Sequence, residues 1–190
     1  MLSLSIYSPG GRPIKLSIII VLLWLATLAG EVRLARAQEA QQVKAAILYN
    51  FAKFVEWPPG TFADDRAAIT LCLFDRDPLA GAMAALQGKV IQGRTLLVRR
   101  CHSIAELKGC QIFFASASEK GELAQAAAVL RDMPVLTVTD TVDNFANLGG
   151  IINLIPVEDK IRFEISVRNA RQSRLKISSQ LLKLANSVSE

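Results

Sequence analysis

Residues 69–78 read Ile-Thr-Leu-Cys-Leu-Phe-Asp-Arg-Asp-Pro. A β-favouring run of strand length is closed by a charged turn and a proline that cannot donate to a ladder. The alanine-rich stretch Leu79 to Leu86 then has helical composition and stops at Gly88. A buried strand that hands over through Asp and Pro to a short helix is one half of a βαβ unit, and it sets the expectation for the segments on either side.

Downstream the alternation repeats. Lys89 to Arg100 is β-rich at both ends with Gly93 between, so it is either a strand pair or one strand entered through a turn. Ser103 to Leu107 has the Ser-x-x-Glu spacing of a capping box. Gln111 to Ala115 and Pro134 to Thr139 read as strands. Ser118 to Leu130 reads as a helix with Ala124, Ala127 and Leu130 on one face, and Thr141 to Leu148 as a helix ended by Gly149-Gly150. After that the pattern changes. Ile151 to Ile155 and Lys160 to Ser166 flank Pro156-Val157-Glu158-Asp159 as an antiparallel hairpin, expected at a sheet edge, and one closing helix is expected from about Asn169 to Ser187. Upstream, Val43, Ile47, Phe51 and Phe54 recur at helical spacing until Trp57-Pro58-Pro59-Gly60 stops the helix. The expected fold is therefore α/β: a single domain with a mainly parallel sheet flanked by helices, a C-terminal antiparallel hairpin and a closing helix.

Residues 1–37 carry a different signal. Arg12 and Lys15 precede the apolar run Leu16 to Ala29, and Ala35-Arg36-Ala37 offers the small-x-small pattern of a signal-peptidase site. The run is short for a bilayer span, so cleavage after Ala37 is expected rather than an uncleaved anchor. Residues 38–190 would then work outside the cytoplasm as one domain. The leader holds four cations and one anion, which leaves the rest with 18 cations against 16 anions. That near-balance excludes binding to nucleic acid by charge.

Chemistry-bearing motifs are sparse. There is no G-x-S-x-G, H-E-x-x-H or Walker loop, and a single histidine leaves a zinc site short of ligands. Neither a cofactor, a metal nor an enzymatic activity is therefore expected. Cys101 beside His102 lacks a third orienting group. Asp75 and Asp77 end a strand, where open parallel sheets bind ligands, although a turn before Pro78 uses the same residues. Asp140 and Asp143 suit helix caps.

The three cysteines allow one disulfide in an oxidising compartment. Cys72 lies in one strand and Cys110 opens another, so Cys72–Cys110 with Cys101 as free thiol is favoured, against three buried thiols. In the closing helix Ala170, Ile177, Leu181, Leu184 and Val188 form one stripe, and Leu175 with Leu182 a second. The surplus stripe marks a partner surface, a helix buried on two sides or the seam of a homodimer.

The stretch Ala45-Ala46-Ile47-Leu48-Tyr49-Asn50-Phe51-Ala52-Lys53-Phe54-Val55-Glu56-Trp57-Pro58 resembles the opening helix of the YfiR-like periplasmic proteins. Gly149-Gly150-Ile151-Ile152-Asn153-Leu154, Arg162-Phe163-Glu164-Ile165 and Leu175 to Ala185 extend the resemblance in order. It implies a non-enzymatic repressor that binds the periplasmic sensor domain of an inner-membrane diguanylate cyclase (YfiN-like). A YfiB-like outer-membrane lipoprotein, or redox-driven misfolding, would release that cyclase. It also implies a disulfide at Cys72 and Cys110. A second pair expected near Phe145 and Ile152 is missing, because neither is cysteine. From placement and apolarity, partner contact is expected at Ile151, Ile152, Leu154, Arg162, Glu164, Leu175, Ile177 and Leu181. The alternative class is a periplasmic small-molecule sensor using the crevice near Asp75 and Asp140. A thiol oxidoreductase is disfavoured by the missing CxxC.

Overall fold

Strand β2 (Ile69–Phe74) lies in the interior of an eight-stranded sheet, with all but Thr70 buried. The computed structural model describes residues 37–158 and 160–190. The leader expected over 1–37 and its cleavage site fall, apart from Ala37, outside the described residues. Among those described, no helix is long and apolar enough to cross a membrane. Ala40–Glu190 forms one compact unit, to which the description that follows applies.

Helix α1 runs through 37–51 and passes via a 3-10 turn, Ala52–Phe54, into the short strand β1 (Val55–Glu56) before Trp57-Pro58. The other strands are β3 (Val90–Ile91), β4 (Arg94–Cys101), β5 (Ile112–Ser116), β6 (Leu136–Asp140), β7 (Ile152–Val157), β8 (Lys160–Ser166), β9 (Lys176–Ile177) and β10 (Ser187–Ser189). The helices are α2 (Ala80–Ala84), α3 (Lys120–Leu130), α4 (Val167–Gln172) and α5 (Ser179–Leu184). The sheet order is β10-β8-β7-β6-β5-β2-β4-β3, and β1 pairs with β9 in a separate two-stranded ribbon. The run β4-β2-β5-β6-β7 is parallel throughout. Taken in chain order, its strands run 2-1-3-4-5, a doubly wound arrangement whose direction reverses between β2 and β5.

Two layers cover the sheet, and the pleat assigns residues to them strictly by parity. Ile69, Leu71 and Leu73 of β2, Ile112 and Phe114 of β5, and Leu136 and Val138 of β6 pack with α1, α2, α4 and α5. Cys72, Phe74, Phe113 and Ala115 point the other way, toward α3 and the 3-10 turns at 104–107 and 145–148. Each strand is thus buried on both sides, which is why it reads as a continuous apolar run rather than an alternating one.

The hairpin 89–101 resolves as two strands, with Gln92 at φ 51° and Gly93 at φ 79° making its turn. Strands β7 and β8 are antiparallel, as expected, but not at the sheet edge: β10 pairs parallel with β8 outside them. Within Asn169 to Ser187 the expected single helix is broken. Arg174 takes φ 57°, β9 and α5 follow, and Ser178 caps α5 by accepting from the Leu181 amide at 3.2 Å. The apolar spacing that suggested one long amphipathic helix comes from short pieces folded back on one layer. Gly149 ends the 145–148 turn at φ 82°, and a Cβ there would come to 2.5 Å from the Ala127 Cβ, so only glycine fits.

Candidate functional site

Between neighbouring strands β2 and β5, Cys72 and Cys110 are joined by a disulfide with Cα atoms 6.0 Å apart. The backbone on both sides is already in register, with Leu71 opposite Ile112 and the Gln111 amide donating to the Thr70 carbonyl at 2.9 Å. On β4, Arg99 stands opposite Cys72 and lays its guanidinium across the bridge, 3.3 Å from Cys72 Sγ and 3.1 Å from Cys110 Sγ. The same nitrogen donates to the carbonyls of Glu106 and Lys108 at 2.9 and 3.0 Å. One cation therefore joins the disulfide to the loop that precedes Cys110, a role that no spacing in the sequence announces.

Cys101 is free and fully buried in the layer beside α3. Burial pushes its thiol above the usual range, against the opposing pull of Arg99. Its neighbour His102 is exposed, so the two do not form a nucleophile–base pair. Cys101 and His102 instead border a cavity of about 470 Å³ at the carboxyl ends of β2 and β4, with Phe74, Asp75, Arg76, Ser103 and Glu122. Arg76 and Glu122 are paired across it, and Asp75 faces Arg100 at 3.4 Å. Asp140 belongs elsewhere: Lys44 of α1 donates to it at 2.6 Å, so the crevice expected between Asp75 and Asp140 is not one site. Among the described residues no group of three or more His, Cys, Asp or Glu side chains is arranged to hold a metal.

The residues expected at a partner surface divide sharply. Ile151, Ile152, Leu154, Leu175 and Leu181 are at most 3 % exposed and belong to the layer of α1, α2, α4 and α5, out of reach of a partner. They were apolar because they are core. Arg162 is exposed and Glu164 half-buried on β8, while Ile177 is half-buried in β9, opposite Val55 of β1. The exposed apolar side chains of this region, Leu184 and Val188, belong to the same stripe as the buried Leu181. Leu184 is 61 % and Val188 45 % exposed, and Leu184 lines a groove with Val157, Lys160, Arg162 and Asn186. Period alone placed Leu181, Leu184 and Val188 on one helix stripe; the breaks at Arg174 and after Leu184 divide that stretch into β9, α5 and β10, with Leu181 buried and the other two exposed.

The segments that carry the resemblance meet in space. Phe51 packs edge-on against Phe163 with ring centroids 4.8 Å apart, and the Ser178 amide donates to the Phe54 carbonyl at 2.9 Å. Comparison with known proteins gives three results. A search of curated proteins finds no match. A conserved domain protein of Vibrio cholerae, solved as a crystal structure, is similar at 12% identity and a TM-score of 0.40, over 64% of this chain and 54% of that one. The family profile DUF4154, YfiR/HmsC-like, matches residues 41–186. That span is nearly the whole folded body, and the chain belongs to the YfiR/HmsC-like family.

Proposed function

We propose that this chain is a periplasmic repressor. It binds the periplasmic sensor domain of an inner-membrane, YfiN-like diguanylate cyclase and holds the enzyme inactive. The observation that carries this reading is the family match across residues 41–186. Release would follow when a YfiB-like outer-membrane lipoprotein competes for the repressor, a shift by mass action. It would also follow when the Cys72–Cys110 bridge is lost and the domain unfolds. In this reading residues 1–37 are a leader cleaved after Ala37, and the working protein is 38–190, acting without catalysis, alone or as a homodimer. Partner contact is assigned to the β8–β10 edge of the sheet, at Arg162, Glu164 and the exposed Leu184 and Val188, and to Ile177 in the β1–β9 ribbon. An apolar pair ringed by charge is the usual composition of a regulated interface.

The test is cellular cyclic di-GMP after clean deletion, with complementation by wild type, Cys110→Ser and Leu184→Glu. A rise on deletion that only wild type reverses supports a disulfide-dependent repressor with its contact at this edge, provided Leu184→Glu folds as wild type does. An unchanged level after deletion removes the cyclase reading. The cavity at the ends of β2 and β4 favours a second reading, a small-molecule sensor bound among Asp75, Arg76, His102 and Glu122. Thermal stabilisation of the purified protein by a metabolite, lost in Arg76→Ala, would support it.

A further inference from the structure

Where the strand order reverses, between β2 and β5, two acids face each other out of water. Asp77 follows β2 and Glu119 precedes α3; they are 4 % and 1 % exposed. Each uses one oxygen locally. Asp77 Oδ1 accepts from the Leu79 amide at 2.7 Å, at the start of α2. Glu119 Oε2 accepts from the Ser116 amide at 3.3 Å in a capping box. The remaining oxygens, Asp77 Oδ2 and Glu119 Oε1, are buried without a hydrogen-bond partner, and the two carboxyls lie close enough to act on each other. Two carboxyl groups so placed can bond only through a proton, and a single proton between them would satisfy both orphaned atoms at once.

We propose that the Asp77–Glu119 pair is a proton-operated latch that holds the segment between β2 and α2 against the start of α3 and lets it part when the pair becomes fully ionised.

The surroundings support the latch. Burial is the main cause that lifts the Glu119 carboxyl, followed by Asp77 itself; the Ser116 amide and Arg76 act against them, and the result is pushed up to about 7. Arg76 is already committed to Glu122 of α3. On the β4 side, Asp75 pairs with Arg100, and His102 lies across the cavity. On the β6 side, Asp140 stands opposite Ser116 and is neutralised by Lys44. Helix α2 presents no charged residue. Arg76, the cation that acts on Glu119, is thus shared with a second carboxylate, and Lys120 beside Glu119 is exposed. The ion pair left between the segment and α3 would then be Arg76–Glu122, with side chains 66 % and 32 % exposed, and such pairs hold weakly. Two like charges in a buried pair repel strongly enough to part them. The same segment walls the cavity at Asp75 and Arg76, so its release would open that cavity.

The latch does not depend on the regulatory reading, and its test needs only the purified protein. Carbon-detected NMR follows the Glu119 carboxyl from pH 4 to pH 8.5. Hydrogen exchange follows the Leu79 and Ser116 amides across the same range, corrected for base catalysis. The expected result is a Glu119 midpoint near 7 with protection of both amides falling at least tenfold through it, while Glu119→Gln keeps them protected throughout. Should that variant not fold, Asp77→Asn serves: its amide donates to the Glu119 carboxylate, which brings the midpoint down and flattens the protection. A Glu119 midpoint in the ordinary carboxylate range overturns the proposal. So does a midpoint near 7 with unchanged protection.

Discussion

The two faces of the sheet are built to different rules. On one, 25 buried apolar residues from α1, α2, α4, α5 and the strands make a continuous core without a cross-link. On the other the cluster has 13, and it holds all three cysteines, with Arg99 clamped over the bridge. The larger layer can be held by volume alone, whereas the smaller one is held by a covalent tie, as small cores generally are. Any signal that acts on the protein through reduction therefore acts on the α3 side first.

The largest expected effect breaks that tie. The bridge closes a loop with a sequence separation of 38, for which the chain-entropy model gives about 4 kcal/mol. Urea unfolding of Cys72→Ser/Cys110→Ser against wild type should show that loss, and dithiothreitol should reproduce it with wild type. Hydrogen exchange should place the loss around Phe113 and Leu123 before Leu71 and Leu73. Equal loosening on both faces would mean that the layers are not separable. Next, Leu73→Ala on the larger face should cost about 3 kcal/mol from the cavity it leaves in a fully buried site. The sharper version is a cycle: the cost of Leu73→Ala should be the same with the bridge open or closed. That of Leu107→Ala should shrink once the bridge is open, because the Leu107 carbonyl accepts from the Cys110 amide at 3.2 Å. Gly149→Ala should cost about 2 kcal/mol or more, since the new Cβ meets Ala127 on α3 at a strained φ; a drop in melting temperature with unchanged near-ultraviolet dichroism would check it.

The faces also differed in how far they could be read from the residues. Strands β2, β5 and β6 were legible because burial on both sides leaves an uninterrupted apolar run bounded by Asp, Gly and Pro. Pairing of Cys72 with Cys110 was legible because both sit at neighbouring strands of that run. The C-terminal third was not. From Ala170 to Val188 the apolar spacing fits 3.6 residues per turn, yet the chain turns at Arg174 and again after Leu184. A positive φ at arginine leaves no signal in composition, so the core residues Leu175 and Leu181 looked like surface. The Asp77–Glu119 pair was invisible for another reason: 42 residues of sequence separate two acids that only the 2-1-3-4-5 order brings together.

That pair gives a smaller effect, with a sign opposite to most carboxylates. The folded-state value of Glu119 is raised to about 7, so its contribution to stability is complete below about pH 4.5 and is lost as pH rises toward 7. The difference in unfolding free energy between wild type and Glu119→Gln should therefore move by about 2 kcal/mol between pH 4.5 and 7.5 and stay level above that. Taking the difference removes the many carboxylates whose stabilisation runs the other way. A flat difference would leave the smaller face with its disulfide as the one chemical control.

The smallest effect lies on the larger face, where Lys44 of α1 reaches Asp140 at the carboxyl end of β6 at 2.6 Å. The side chains are 21% and 14% exposed, so the pair is screened less than a surface one but was desolvated to form. Lys44→Met keeps the aliphatic stem against the core, and Asp140 retains the Thr141 hydroxyl as a donor at 3.0 Å. About 1 kcal/mol or less should be lost by urea unfolding, and the loss should not change when the disulfide is reduced. If it grew on reduction, α1 and the far side of the sheet would share strain across the strands. The two faces would then be one mechanical unit rather than a packed layer and a stapled one.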